Sequence, residues 1–324
     1  MSLSYKWLGF VGLLGFVVSV GCSATSGTGT FGNVGGGGAG GEGNSGQGNS
    51  GNDGSGGDGG SFIPPTDGGG GGPIDDCSDE AKLVYVLSDA NELYSFDPPA
   101  KLFTKIGNLN CNTGLSPNSM AVDRNAVAWV NYVDSFDSQG VIFKVSTKDA
   151  SCDAAPTVQL VSGWARIGMG FSKDADGMGE TLFVSGTSGT GIGKINAMNT
   201  LNPIAGFSPG AFTGQSAELT GTGDGRLYGY FTTTPVQMGQ IDKATGAVTN
   251  PKEITGLQTP SAWAFSFWGG SFYLYAASGF QNSNVTKYDP VAGTIDNFYM
   301  TNVGFRIVGA GVSTCAPLIE PPPK

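Results

Sequence analysis

The chain has 324 residues, 56 of them glycine, a formal net charge of −10 and no histidine. The missing imidazole excludes Ser-His-Asp and Cys-His catalysis as such, and makes a zinc site unexpected. The acidic balance speaks against nucleic acid as a partner.

The N-terminus reads as a targeting segment. Lys6 supplies a thin positive region, and residues 7–20 (WLGFVGLLGFVVSV) form an apolar run. That run is shorter than the roughly 20 residues a transmembrane helix needs. Ser19-Val20-Gly21-Cys22 follows and resembles the bacterial lipobox, with Ser19 where that motif usually has Leu. The resemblance implies cleavage after residue 21, diacylation of Cys22 and anchoring in a membrane; Ser23 at the next position implies outer-membrane sorting. The alternative is an ordinary secretion signal in which Cys22 is incidental.

Residues 22–76 predict a tether. About half of residues 27–72 are glycine, mixed with Ser, Asn and Thr and without aliphatic periodicity. Such a segment buries too little apolar surface to offset its chain entropy, so disorder is expected. A Gly/Ser coil of about 50 residues has an r.m.s. span near 40 Å. The charges of residues 27–72, Glu42, Asp53, Asp58 and Asp67, are all acidic, unlike a polybasic lipid-headgroup patch.

The globular part is expected over residues 77–318, with a short Pro-rich tail at 319–324. Its organisation is repetitive. Turns recur after Asp97, Ser146, Asn196, Asp242 and Asp289, in steps of 49, 50, 46 and 47 residues. Asp, Asn or Ser suits such a position because its side chain accepts from the turn backbone. Strands rich in β-branched and aromatic residues precede each turn, at 83–87, 127–132, 181–185, 227–231 and 272–276. First strands at 119–122, 168–171, 219–222, 263–266 and 308–311, three of them with glycine, keep nearly the same step. The last has no unit after it, and the first unit, starting at Lys82, lacks such a strand. Together they complete one sheet. The sequence therefore predicts an all-β, five-bladed β-propeller whose termini close the first blade. The glycines read as innermost strands crowding the axis, rather than as a phosphate loop.

Four cysteines remain after Cys22, an even count in an exported chain. Cys77 and Cys315 flank the shared first blade at one end, and a bridge there would clamp the closure by about 5 kcal/mol of chain entropy. Cys111 and Cys152 pair by elimination, provided that residues 147–157 close the gap between two faces of the ring.

With these residues in view, the chain resembles a group of predicted lipoproteins from myxobacteria-like Gram-negative bacteria. The resembling stretches are SMAVDRNAVAWV (119–130), VSTKDASC (145–152), ELTGTGDGRLYGYF (218–231), AFSFWGG (264–270) and RIVGAGVSTCAP (306–317). The resemblance implies the propeller and the address, and no activity.

Residues entering the innermost strands should ring one mouth of the central channel: Asn118, Arg166, Glu218, Ser261 and Arg306. Two guanidiniums and a carboxylate there could clamp a carboxylate- or hydroxyl-bearing ligand. The competing reading has Glu218 pairing with one arginine to fasten blades together. Residues 172–177 (SKDADG) resemble a calcium-loop fragment but lack its further oxygen ligands, so a hairpin turn is expected. Trp263, Phe265, Phe267, Trp268, Tyr273 and Tyr275 read as inter-blade core, with a sugar-stacking platform as alternative. The amide-rich loop 279–284 (GFQNSN) is a candidate recognition loop.

The expected function is a lipid-anchored envelope module displaying a binding surface for a glycan, small molecule or protein. No catalytic residue, metal or cofactor is expected, and a monomer is. A carboxylate-dependent carbohydrate-active enzyme using Glu218 and Asp89 and a purely structural envelope protein remain alternatives.

Overall fold

The computed structural model describes residues 77–187 and 189–322. The predicted signal segment, Cys22 and the tether lie outside the described residues. Alternating apolar residues with both faces buried give short strands that pack between neighbouring sheets.

The first blade contains β1 (Val84–Ser88), β2 (Glu92–Asp97) and β3 (Leu102–Asn108). The second contains β4 (Ser116–Val122), β5 (Val127–Val133), β6 (Gly140–Ser146) and β7 (Val158–Leu160). The third contains β8 (Ile167–Lys173), β9 (Glu180–Gly186), β10 (Gly191–Ile195) and β11 (Leu201–Ala205). The fourth contains β12 (Ala217–Gly221), β13 (Leu227–Phe231), β14 (Gln237–Ile241) and β15 (Val248–Glu253). The fifth contains β16 (Ala262–Trp268), β17 (Ser271–Ala277), β18 (Asn284–Asp289) and β19 (Thr294–Met300). Strand β20 (Ile307–Gly311) returns to the first blade and pairs antiparallel with β1, Val86 facing Ala310. Each blade is then a four-stranded antiparallel meander. The inner strands touch in a ring, β20 to β4 to β8 to β12 to β16 and back to β20. This is a five-bladed β-propeller.

Five apolar clusters fill the five gaps between blades. Strand β1 shows why: Val84 and Val86 face the fifth blade, while Tyr85 and Leu87 face the second. The aromatic run of the fifth blade is core, as expected. Phe265 and Phe267 pack towards the fourth blade, and Tyr273, Tyr275 and Trp268 towards the first. Each buried ring contributes about 1.5–3 kcal/mol.

Close approach at the axis accounts for the inner glycines. A Cβ on Gly168 would fall onto the Ala217 carbonyl oxygen, and one on Gly221 onto that of Phe171. The five turn residues that set the repeat step all accept a backbone N–H within their turn: Asp97 from Ala100, Ser146 from Lys148, Asn196 from Met198, Asp242 from Ala244 and Asp289 from Val291. Residues 172–177 form the expected hairpin, closed by Asp174 N–H to the Gly179 carbonyl. The Lys243 ammonium packs beside it, donating to Ser172 Oγ (3.2 Å) and to the carbonyls of Lys173 (2.8 Å) and Gly225 (2.7 Å).

Both disulfides form in the expected pairing. Cys77–Cys315 joins the two ends of the ring with a Cα separation of 5.8 Å. Cys111–Cys152, at 5.1 Å, is made possible because the chain after β6 doubles back: Cys152 pairs with Val145, and Asp153 N–H reaches the Lys144 carbonyl. The Pro-rich tail begins against the fifth blade, where Pro317 accepts from Gly269 N–H and Leu318 packs on the adjoining core.

Candidate functional site

The inner strands begin at one end of the ring, and their first residues share a cavity of about 400 Å³. Asn118, Arg166, Glu218, Ser261 and Arg306 all line it. The hydroxyls of Ser185, Thr187 and Ser216 join them, and Trp263, Pro117 and Val308 supply apolar wall.

Glu218 lies at the inner wall, only 4 % exposed. Its place on β12 crosses it with Tyr230 of β13 and directs it towards the axis, where Ser119 of β4 donates to Oε2 at 2.8 Å. That bond links two blades that are not neighbours. Burial holds the Glu218 carboxyl well above the usual range; the Ser119 hydroxyl, the Met169 N–H and the Arg166 charge offset this only in part. The neutral acid is therefore favoured, a group that both donates and accepts.

The arginines are engaged elsewhere. Arg166 directs Nε to Asp137 Oδ1 (2.9 Å) and a terminal nitrogen to Asn118 Oδ1 (2.6 Å). Arg306 donates to the Gly279 and Gln281 carbonyls and to Ser261 Oγ (3.2 Å), with Asp89 at 3.9 Å. Glu218 thus does not fasten the blades through an arginine, the pairing weighed from the sequence; burial selects a hydroxyl partner instead. Asp89 stands on the rim, bound to Arg306, and does not line the cavity.

Sequence reasoning missed the residue that frames this side of the mouth. Asn131, fully buried on β5, accepts from Asn118 Nδ2 (2.9 Å) and Ile167 N–H (3.3 Å). It donates to the carbonyls of Val141 (3.2 Å) and Ala165 (3.1 Å). Its signal was a single amide inside VAWVNYV, an otherwise apolar strand. Asp137 was missed too, because nothing local marks it as the partner of an arginine 29 residues away. At the opposite end of the channel, Glu180 accepts from Thr314 Oγ1 (2.7 Å) and Arg124 N–H (2.6 Å), joining three blades.

No known protein family matches the sequence, and no curated protein does. Among solved structures, a protein of unknown function from Bacteroides caccae is similar at TM-score 0.43 and 11 % identity, covering 71 % of this chain and 97 % of that one. The calcium-binding protein regucalcin from Agrobacterium tumefaciens is similar at TM-score 0.43 and 15 % identity, covering 72 % and 75 %. A PQQ-bound aldose sugar dehydrogenase from Streptomyces coelicolor is similar at TM-score 0.41 and 10 % identity, covering 72 % and 82 %. At such values no activity transfers from these proteins, and the propeller is read from this chain's own strand register.

Proposed function

We propose that this chain is a non-enzymatic binding module of the cell envelope, lipid-anchored through Cys22, that takes a small, neutral, hydroxyl-rich ligand into the mouth cavity. The carrying observation is that a buried Glu218 carboxyl, pushed towards its neutral form, shares one cavity with Ser185, Thr187, Ser216 and Ser261. Convergent polar groups on a partly apolar wall are the usual composition of a ligand site. Both guanidiniums already satisfy oxygens of the chain, two of them carboxylates. This favours a ligand that exchanges hydrogen bonds over one that brings a negative charge.

Glycoside hydrolysis is the competing chemistry, and it needs two carboxyls about 5–9.5 Å apart across the substrate. Glu218 is the one acid among the described lining residues, which favours binding without turnover. The tether at 22–76 would hold the propeller clear of the outer membrane.

A thermal-shift screen of the chain against neutral sugars, polyols, organic acids and Ca²⁺ tests the ligand class. A ligand at about 100 times its Kd adds about 2.7 kcal/mol, roughly 5–10 °C for a domain of this size. Stabilisation by sugars or polyols that Glu218→Ala weakens and Glu218→Gln, which keeps a donor and an acceptor, largely retains is the expected result; stabilisation by organic acids alone would overturn it. Mass spectrometry of the N-terminal peptide tests the anchor, which an unmodified Cys22 would exclude.

A further inference from the structure

Two phenylalanines stand in water beside the mouth. Phe280, in the loop between β17 and β18, is fully exposed, and Phe136, in the loop between β5 and β6, is 87 % exposed. Isolated exposed apolar residues are ordinary. These two are distinguished by what holds their loops. Arg166, which lines the cavity, grips Asp137, the neighbour of Phe136. Arg306, on the same cavity, grips the carbonyls of Gly279 and Gln281, the two neighbours of Phe280.

Both loops are also braced from within. Asp134 Oδ1 accepts the N–H groups of Ser138 (2.7 Å) and Gln139 (2.9 Å). Gln281 N–H donates to the Ser278 carbonyl (3.1 Å), and the Asn282 amide donates to Asn302 (2.9 Å). The rings are carried on fixed supports, so binding to them orders little additional chain.

We infer that Phe136 and Phe280 form an aromatic clamp at the rim, where a neutral oligosaccharide seated by one unit in the cavity lays its further sugar rings against the phenyl faces. This rests on the proposed ligand class. A pyranose offers an apolar C–H face that stacks on an aromatic ring, while its hydroxyls need the exchangeable hydrogen bonds that the cavity supplies. The roles of the arginines change accordingly: they position the clamp instead of contacting ligand charge. The loop 279–284 thereby acts through the phenylalanine at its tip, alongside its amides.

The test is isothermal calorimetry on the full chain with glucose, N-acetylglucosamine, and the tetrasaccharides of the cello, malto and chitin series. The expected result is a tetrasaccharide held at least about tenfold more tightly than its monosaccharide. Phe136→Ala/Phe280→Ala should remove that advantage, at about three- to tenfold per ring, and leave monosaccharide affinity and Tm unchanged. Phe298→Ala, an exposed ring on the outer strand β19, should change nothing. Glu218→Ala should weaken monosaccharide and tetrasaccharide alike. An unchanged tetrasaccharide affinity in the double variant, or no tetrasaccharide advantage in the native chain, would overturn the clamp while the cavity reading stands. Loss in the double variant with Glu218→Ala indifferent would retain the clamp and overturn the cavity reading. No binding of any of these sugars would overturn both.

Discussion

Glu218 carries the clearest pH signature in the molecule. Its folded pKa lies well above the ordinary 4.5 because burial disfavours the carboxylate. The folded chain therefore holds this proton more tightly than the unfolded chain. The contribution is fully favourable below about pH 4.5 and is lost as pH rises towards the folded value. Glu180 is raised for the same first reason and has the same sign. Glu218→Gln removes the proton while keeping much of the shape. Its Tm relative to the native chain should climb as the buffer is taken from pH 4.5 to pH 8; a constant difference would contradict a neutral-favouring Glu218. Asn131 makes a different prediction. Its truncation to alanine leaves two buried carbonyls and one buried N–H without their partner, so urea unfolding should show a loss of about 2–4 kcal/mol. Residues of this kind were hard to see in advance. Glu218 and the arginines were found because the repeat placed them at equivalent positions. Asn131 and Asp137 lie outside those positions, and their roles arise from bonds to residues distant in the chain, such as Ala165 and Arg166.

At the scale of the strand, the inner ring leaves no room for side chains between neighbouring backbones. Gly168→Ala or Gly221→Ala would push a methyl group into a carbonyl oxygen of the next blade. Overpacking of this type costs about 1–3 kcal/mol, and a thermal melt should fall by several degrees. Gly114→Ala, with nothing within 4 Å of its added Cβ, should melt like the native chain. The first three strands of each blade were legible because their signals are local: alternation, aromatic enrichment and a turn acceptor at a near-constant step. Observed bounds agree within a few residues, and β13 agrees at both ends. Of the fourth strands only the opening of one, at Ala247-Val248, was legible, and β15 starts there. They are edges, half in solvent, with mixed patterns such as that of β3, and β7 has only three residues. An edge strand is selected by its one neighbour rather than by its own composition.

Across the whole molecule, closure depends on one strand and one bridge. Cys77 and Cys315 are 238 residues apart, against 41 for Cys111 and Cys152. The chain-entropy model gives about 5 and about 4 kcal/mol respectively. Replacing Cys77 and Cys315 together by alanine should therefore lower stability more than replacing Cys111 and Cys152, by denaturant titration. The reverse order would mean that the paired β1 and β20 already hold the ring without covalent help. The blade count was legible because an orphan first strand at one end and a missing one at the other balance. The cavity's bonding was not, since it depends on how five separate strands meet.

The strand that shuts the ring is synthesised after every other strand of the ring. A chain stopped before Ile307 presents β1 with its inner hydrogen-bonding edge open and no partner of its own. A second truncated copy lacks the same segment, so it can offer only its own open edge, and an unpaired edge of this kind is a template for edge-to-edge association. Mixed in solution with a peptide of residues 305–317, such a truncated protein should recover its ring; alone, it should associate through its open β1 edges and elute as oligomers.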